Sequence, residues 1–183
     1  MELENIKIII DMEGITYSEE AGEFKTYMNI ECGNFTFPQS KTSAYPAAIF
    51  RWLLREMRLL VGKKNTIKER HVYFYPASTG HYLFLELVDE NILSLRFSKR
   101  VGIENEFISH TIYSDEGFLA STTKYCSFDQ FFLETYKHAE LFYQAFKDSP
   151  DYGGNMFVLC DELEYSKKIV NKIVKKGTKG EII

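Results

Sequence analysis

The stretch HYLFLELVDENILSLRFS, residues 81–98, decides the fold. Leu83, Leu85 and Leu87 alternate with Tyr82, Phe84 and Glu86, and Leu93, Leu95 and Phe97 alternate with Ser94, Arg96 and Ser98. A period of two marks strands with one buried face. A three-residue loop at Asp89-Glu90-Asn91 ends on a residue that tolerates the left-handed conformation. That loop pairs Val88 with Ile92, Leu87 with Leu93, Leu85 with Leu95 and Leu83 with Phe97. The last six side chains then share one face. A two-residue loop would mix leucine with serine and arginine on both faces, so the register favours the longer loop.

Working outward, residues 70–75 read as a strand before this hairpin, and 107–113 with 118–125 as a second hairpin after it. Towards the N-terminus, 6–11 form a first strand. Phe24, Thr26, Met28 and Ile30 alternate with polar and ring residues in a second. A Cys32-Gly33 turn would pair Ile30 with Phe35 and Met28 with Phe37, again gathering apolar side chains on one face. Residues 46–61 form a helix, with Pro46 in its first turn, Gly62 past its end, and an apolar face of Ile49, Phe50, Leu53, Leu54, Met57, Leu60 and Val61. Ser127-x-x-Gln130 opens a second helix running to about Lys147, with Cys126 placed to staple onto Phe131. Residues 155–160 read as a short buried strand. Asp161-x-x-Glu164 opens a last helix that Gly177 ends, with Ile169, Val170, Ile173 and Val174 turned to the sheet and 178–183 a frayed tail. The expected architecture is α+β: one domain over 1–183, mainly antiparallel sheet of about seven to nine strands, with three helices packed on it.

Composition narrows the class. Fifteen Phe, twelve Tyr and one Trp exclude a disordered chain. Three cysteines, none in a C-x-x-C pair, speak against a disulfide framework or structural zinc and for a reducing compartment. The acidic N-terminus with its short apolar run does not read as a signal peptide, and no run is long enough to span a membrane. The expectation is a cytoplasmic protein. Residues 1–34 carry eight Asp/Glu against two Lys, and residues 35–70 carry eight Lys/Arg against two Glu. These blocks either neutralise each other in the fold or mark a charged partner surface. The net charge of −4 argues against nucleic-acid binding.

No phosphate-cradling loop, dinucleotide fingerprint, zinc-protease helix or nucleophile elbow occurs, which leans against an enzyme and calls for no cofactor and no metal. The acid/base reserve at neutral pH is His71, His81, His110 and His138. His71 and His81 begin adjacent strands and could converge at one sheet end, or simply lie there as polar termini. His110 reads as a half-buried strand residue. His138 stands four residues after Glu134 and can pair with it on one helical face.

Three surfaces remain as candidates. Tyr82, Phe84, Glu86 and Arg96 share the non-leucine face of the hairpin, where an arginine among rings suits a carboxylate, a phosphate or a flat ring; the plain alternative is a cross-strand Glu86–Arg96 ion pair. Arg51, Arg55 and Arg58 form a helical stripe that could meet phosphate or an acidic protein, or pair with the acidic N-terminal segment. Glu19 and Glu20, with Asp11, Glu13 and Glu23, form an acidic stretch that could meet a basic partner or stand in solvent.

The succession Gly33-Asn34-Phe35-Thr36-Phe37-Pro38, the helix at 49–61, the strand at 72–75 and the hairpin at 81–97 resembles a layout in small bacterial proteins of unknown role. Some of these look like immunity proteins that neutralise a cognate toxin. The resemblance covers residues 24–98 and implies a protein partner, a toxin or effector, without assigning a role to any residue. The expected function is therefore non-enzymatic protein binding, with a small-ligand module on the Tyr82/Phe84/Glu86/Arg96 face and a homo-oligomeric structural or regulatory protein as alternatives.

Overall fold

The computed structural model describes residues 2–38, 43–62, 69–74, 81–100 and 118–180. Its elements are α+β and antiparallel throughout, but the strands form two sheets rather than one. In the first, β3 (Glu23–Cys32) pairs with β1 (Ile6–Ile10), β2 (Thr16–Ser18), β4 (Phe35–Phe37) and β5 (Ser43–Ala44). The second is the meander β6 (Glu69–Tyr73), β7 (His81–Asp89), β8 (Ile92–Arg100) and β9 (Phe118–Ser127). Between them in sequence lies α1 (Pro46–Leu60), which packs against β3 of the first sheet and against β6 and β7 of the second.

The leucine register of the β7–β8 hairpin is the expected one: Leu87 opposes Leu93, Leu85 opposes Leu95 and Leu83 opposes Phe97. The turn differs. Asp89 pairs with Ile92, leaving a two-residue turn at Glu90-Asn91, and a bulge between Leu87 and Asp89 absorbs the extra residue. A bulge inserts one residue without reversing the faces beyond it, so a short turn and an unmixed leucine face coexist. Between β3 and β4 the register is shifted by two: Ile30 opposes Phe37 and Cys32 opposes Phe35, around Gly33-Asn34. Gly33 adopts φ 59, the left-handed conformation that a tight two-residue turn demands. A shift of two preserves the side-chain faces, which is why the apolar pattern alone did not reveal it. The strand expected at 107–113 lies outside the described residues.

The sheets join at their β1 and β9 edges. The Glu4 N–H donates to the Tyr125 carbonyl at 2.7 Å, and the Lys124 ammonium meets Glu4 at 3.1 Å. Phe35 and Phe37 of β4 bring their rings to 5.0 and 5.1 Å from Phe97 of β8. One apolar cluster draws on both sheets and all three helices. Cys32 and Cys126 are buried free thiols within it, and burial raises both above the ordinary thiol range, Cys32 to about 11. Such thiols are packing groups rather than nucleophiles.

Helix α2 (Phe128–Phe146) starts where the capping box places it, with the Ser127 hydroxyl accepting the Gln130 N–H at 3.2 Å. Asn91 completes the cap from the hairpin turn: its side-chain oxygen accepts the Asp129 N–H at 2.8 Å and its carbonyl the Phe128 N–H at 3.0 Å. Thus the turn residue that closes the leucine hairpin also satisfies the otherwise orphaned donors of α2.

The C-terminal region departs most from expectation. Residues 155–160 are not a strand but the first turns of α3 (Asn155–Gly180). Met156, Leu159, Glu162, Leu163 and Ser166 are buried while Phe157, Val158 and Tyr165 are exposed, which is helical spacing. A short apolar run cannot be assigned to strand or helix by its apolarity alone. Gly177 lies inside this helix, which continues through the start of the expected tail. Its inner face packs on α1 and α2 rather than on a sheet, and Val174 is exposed.

The start of α3 is capped from a distance by Glu23 at the head of β3, whose carboxylate accepts hydrogen bonds from the side chain and backbone N–H of Asn155. Burial holds the Glu23 carboxyl above the ordinary carboxylate range, and these hydrogen bonds offset that only in part. The folded chain therefore binds this proton more tightly than the unfolded chain. The Glu23 contribution to stability falls as pH rises from the ordinary carboxylate value through the folded one, and it recovers on acidification. Glu23→Gln keeps an acceptor oxygen and is expected to flatten this part of the pH profile. Glu23→Ala removes the cap and is expected to cost about 1 kcal/mol. Urea denaturation of the three proteins at several pH values between about 4 and 7 checks both.

Candidate functional site

The non-leucine face of the second sheet carries Tyr82, Phe84, Glu86 and Arg96 as the alternation requires, and β6 adds Glu69, His71 and Tyr73. Phe84 and Arg96 are direct cross-strand neighbours, and the guanidinium lies 4.0 Å from the centre of the Phe84 ring. Its carboxylate partner is Glu69, at 3.1 and 3.2 Å, not Glu86. Glu69 sits opposite Glu86, one strand further from Arg96, and reaches the guanidinium across β7. The rings of Tyr73 and Tyr82 are 5.0 Å apart, and His71 lies 5.9 Å from Phe84. The alternation of ERHVY marks Glu69, His71 and Tyr73 as one face in sequence. Their register against β7 depends on how the chain crosses 75–80, which no periodicity fixes.

Tyr82 and Phe84 are only 5% and 4% exposed, so this aromatic layer is not an open floor. The histidine pair is not assembled either. His71 belongs to this face, whereas His81 belongs to the leucine side, with its ring 5.5 Å from the buried Phe37. His138 does pair with Glu134, at 3.1 Å, and the same Glu134 oxygen accepts the Ile8 N–H at 3.4 Å, tying α2 to β1. His110 lies outside the described residues. Among the described residues no group of three or more His, Cys, Asp or Glu is placed to hold a metal ion, and no helix is long and apolar enough to cross a membrane.

The arginine stripe of α1 divides into two functions. Arg58 forms a paired hydrogen bond with Glu162 of α3, Nε to Oε1 at 2.7 Å and Nη2 to Oε2 at 3.2 Å, and its guanidinium lies 5.3 Å from the Tyr165 ring centre. This hydrogen bonding holds Arg58 above its ordinary pKa. Glu162 is 5% exposed, so the pair is a bolt between helices. Arg51 and Arg55 instead flank Trp52, with guanidinium carbons 4.7 and 5.1 Å from its ring centre. Burial, and then the charge of Arg55, push Arg51 below its ordinary value, while Glu23 and Glu162 pull it back.

Beyond Arg58, α3 exposes Tyr165 (61%), which adjoins α1, and Val158 (42%), which helical spacing puts on the same face two turns earlier. Neither belonged to the sequence candidates, because reading 155–160 as a strand separated Val158 from Tyr165, its neighbour two helical turns on. Glu19 and Glu20 lie in the exposed turn between β2 and β3, closed by the Gly22 N–H to the Ser18 carbonyl at 2.8 Å. They make no ion pair among the described residues. From the acidic stretch it is Glu23 whose charge favours the charged form of Arg51.

Comparison with known protein families, with curated proteins and with solved structures finds no match.

Arg58→Ala leaves the buried Glu162 carboxylate without its partner and is expected to cost roughly 3 kcal/mol. The double substitution Arg58→Ala with Glu162→Ala should cost less than the sum of the two single ones, by about 1–3 kcal/mol. Equilibrium urea unfolding of the four proteins of this cycle measures the coupling.

Proposed function

We propose that this protein acts by binding another protein, without chemistry of its own, through the outer surface shared by α1 and α3. One observation carries the reading: Arg51, Trp52 and Arg55 lie on the same helix surface as Arg58, whose guanidinium adjoins the exposed Tyr165, with exposed Val158 two turns away on the same face of α3. Trp, Tyr and Arg are the residues that most often carry binding energy in protein interfaces. Arginine stems cover apolar surface, and the aromatic rings add contact area at little cost in side-chain freedom. The Arg58–Glu162 bolt fixes the two helices that present these groups, so the surface is rigid before a partner arrives. A role in neutralising a toxin or effector fits this surface and rests on the resemblance of residues 24–98. The aromatic face around Arg96 is a weaker candidate for a ligand, since its two central rings are already buried.

Affinity isolation of the tagged chain from its native host at low salt should return a stoichiometric protein partner. Val158→Asp with Tyr165→Ala, both at exposed positions, should weaken that complex at least tenfold while the chain still unfolds cooperatively, with its midpoint lowered by no more than the loss of the Arg58–Tyr165 contact. Recovery of no protein partner, or recovery indifferent to these substitutions, would refute the reading. Sedimentation of the pure chain identifies the case in which the partner is a second copy.

A further inference from the structure

We infer that Arg51 and Arg55, mounted on Trp52, form a receptor for two carboxylates of an acidic segment of the partner protein. This rests on the protein-binding reading above and specifies the chemistry of that surface.

The first argument is an imbalance of charge. Two guanidinium groups share one ring, at 4.7 and 5.1 Å, with like charges one helical turn apart. The carboxylates nearest to them are committed elsewhere. Glu162 binds Arg58 through both oxygens. Glu23 caps α3 through Asn155. Glu56 reaches Arg55 only at 4.0 Å and lies closer to Arg70, at 3.6 Å. Among the described residues neither Arg51 nor Arg55 donates a hydrogen bond to a carboxylate. Arg51 is half-buried, and burial together with Arg55 disfavours its charge. An incoming anion relieves that repulsion directly, which is a differential interaction between the free and bound states.

The second argument is geometry. A guanidinium presents planar forks of N–H donors that match carboxylate oxygens, and stacking on an indole orients the fork in advance. Positions i and i+4 of a helix are separated by about 6 Å along its axis. Carboxylates two residues apart on one side of an extended chain are separated by about 6.6 Å. The two guanidinium carbons, at 4.7 and 5.1 Å from one ring centre, are at most 9.8 Å apart, so a Glu-x-Glu segment lying along α1 can reach both with its flexible side chains.

The third argument chooses among anions. Any anion meets the net charge of −4, so the choice among anions rests on the apolar surroundings rather than on charge. The neighbouring Tyr165 and Val158 offer apolar area that a phosphate backbone cannot use and a peptide side chain can. The chemistry that fits is an acidic peptide carrying an apolar residue next to its carboxylates.

The test is a titration of the full chain with an acetylated Glu-Leu-Glu-Phe-Glu-Leu peptide, observed by NMR at the Arg51 and Arg55 Nε–H groups and the Trp52 indole N–H. Saturable shifts of the two Nε–H signals are expected, with an affinity that falls as salt is raised. The double substitution Arg51→Gln with Arg55→Gln should lower that affinity at least tenfold without changing the thermal melt. A Lys-for-Glu peptide should bind nowhere on this surface. Absence of saturable shifts at these groups would overturn the proposal. So would equal affinity in the double variant, or equal or tighter binding of inorganic phosphate or an oligothymidine at the same signals. If the partner isolated from the host is lost by Val158→Asp with Tyr165→Ala but retained by the double arginine variant, protein binding stands and the carboxylate receptor falls.

Discussion

The burial of α1 organises both sheets and the two later helices. Ile49, Phe50, Leu53, Leu54 and Met57 are fully removed from solvent, and at 3.6 residues per turn they span about 140° of a fifteen-residue helix. With Ala47 and Glu56, which are also buried, the covered arc reaches about 180°, wider than the roughly 100° stripe that one flat layer covers, so a single sheet would leave its margins in water. The chain solves this by dividing its strands. β3 packs on α1 from one sheet, β6 and β7 from another, and α2 and α3 close what remains. Only the strip bearing Arg51, Trp52, Arg55 and Arg58 is left at or near the surface.

That strip explains how the uneven charge of the sequence is spent. The basic block of residues 35–70 does not simply neutralise the acidic block before it. Arg58 turns to Glu162, more than a hundred residues away, and Arg70 approaches Glu56 within its own block. From the acidic block, Glu4 pairs with Lys124 and Glu23 serves the amide groups that open α3. Glu19 and Glu20 stay in the exposed hairpin turn. The pairs that matter for the fold are those that join elements distant in sequence, because each is held by packing on both sides. The arginines that no such element engages are the ones next to Trp52.

Asn91 and Glu23 show how local and distant demands meet at single residues. Asn91 turns the leucine hairpin and at the same time caps α2. Glu23 begins β3 and accepts a hydrogen bond from the side chain of Asn155, the first residue of α3, across 132 positions of sequence. In each case a helix start is stabilised by a group that the helix sequence does not contain. Ser127 could be read as a cap because capping boxes are local; Glu23 could not be.

Features that depend on neighbours a few residues apart are legible in the chain before it folds. The leucine face of residues 83–97, the apolar face of α1, the start of α2 at Ser127 and the α+β class all follow from periods of 2 and 3.6 and from side chains that reach their own backbone. The sequence also placed Tyr82, Phe84, Glu86 and Arg96 on one face, and Arg51, Arg55 and Arg58 on another. Only the tertiary structure decided the partners of those residues. Arg96 takes Glu69 rather than Glu86, His71 and His81 part to opposite faces, and Arg58 is drawn away from its stripe by Glu162. It also decided that residues 155–160 are helical, because their buried positions are set by α1 and α2 beneath them and not by their own composition. The physical reason is the same throughout. Periodicity states which side of an element seeks burial, but the identity of what buries it, or bonds to it, is fixed by elements whose distance in sequence carries no local signal.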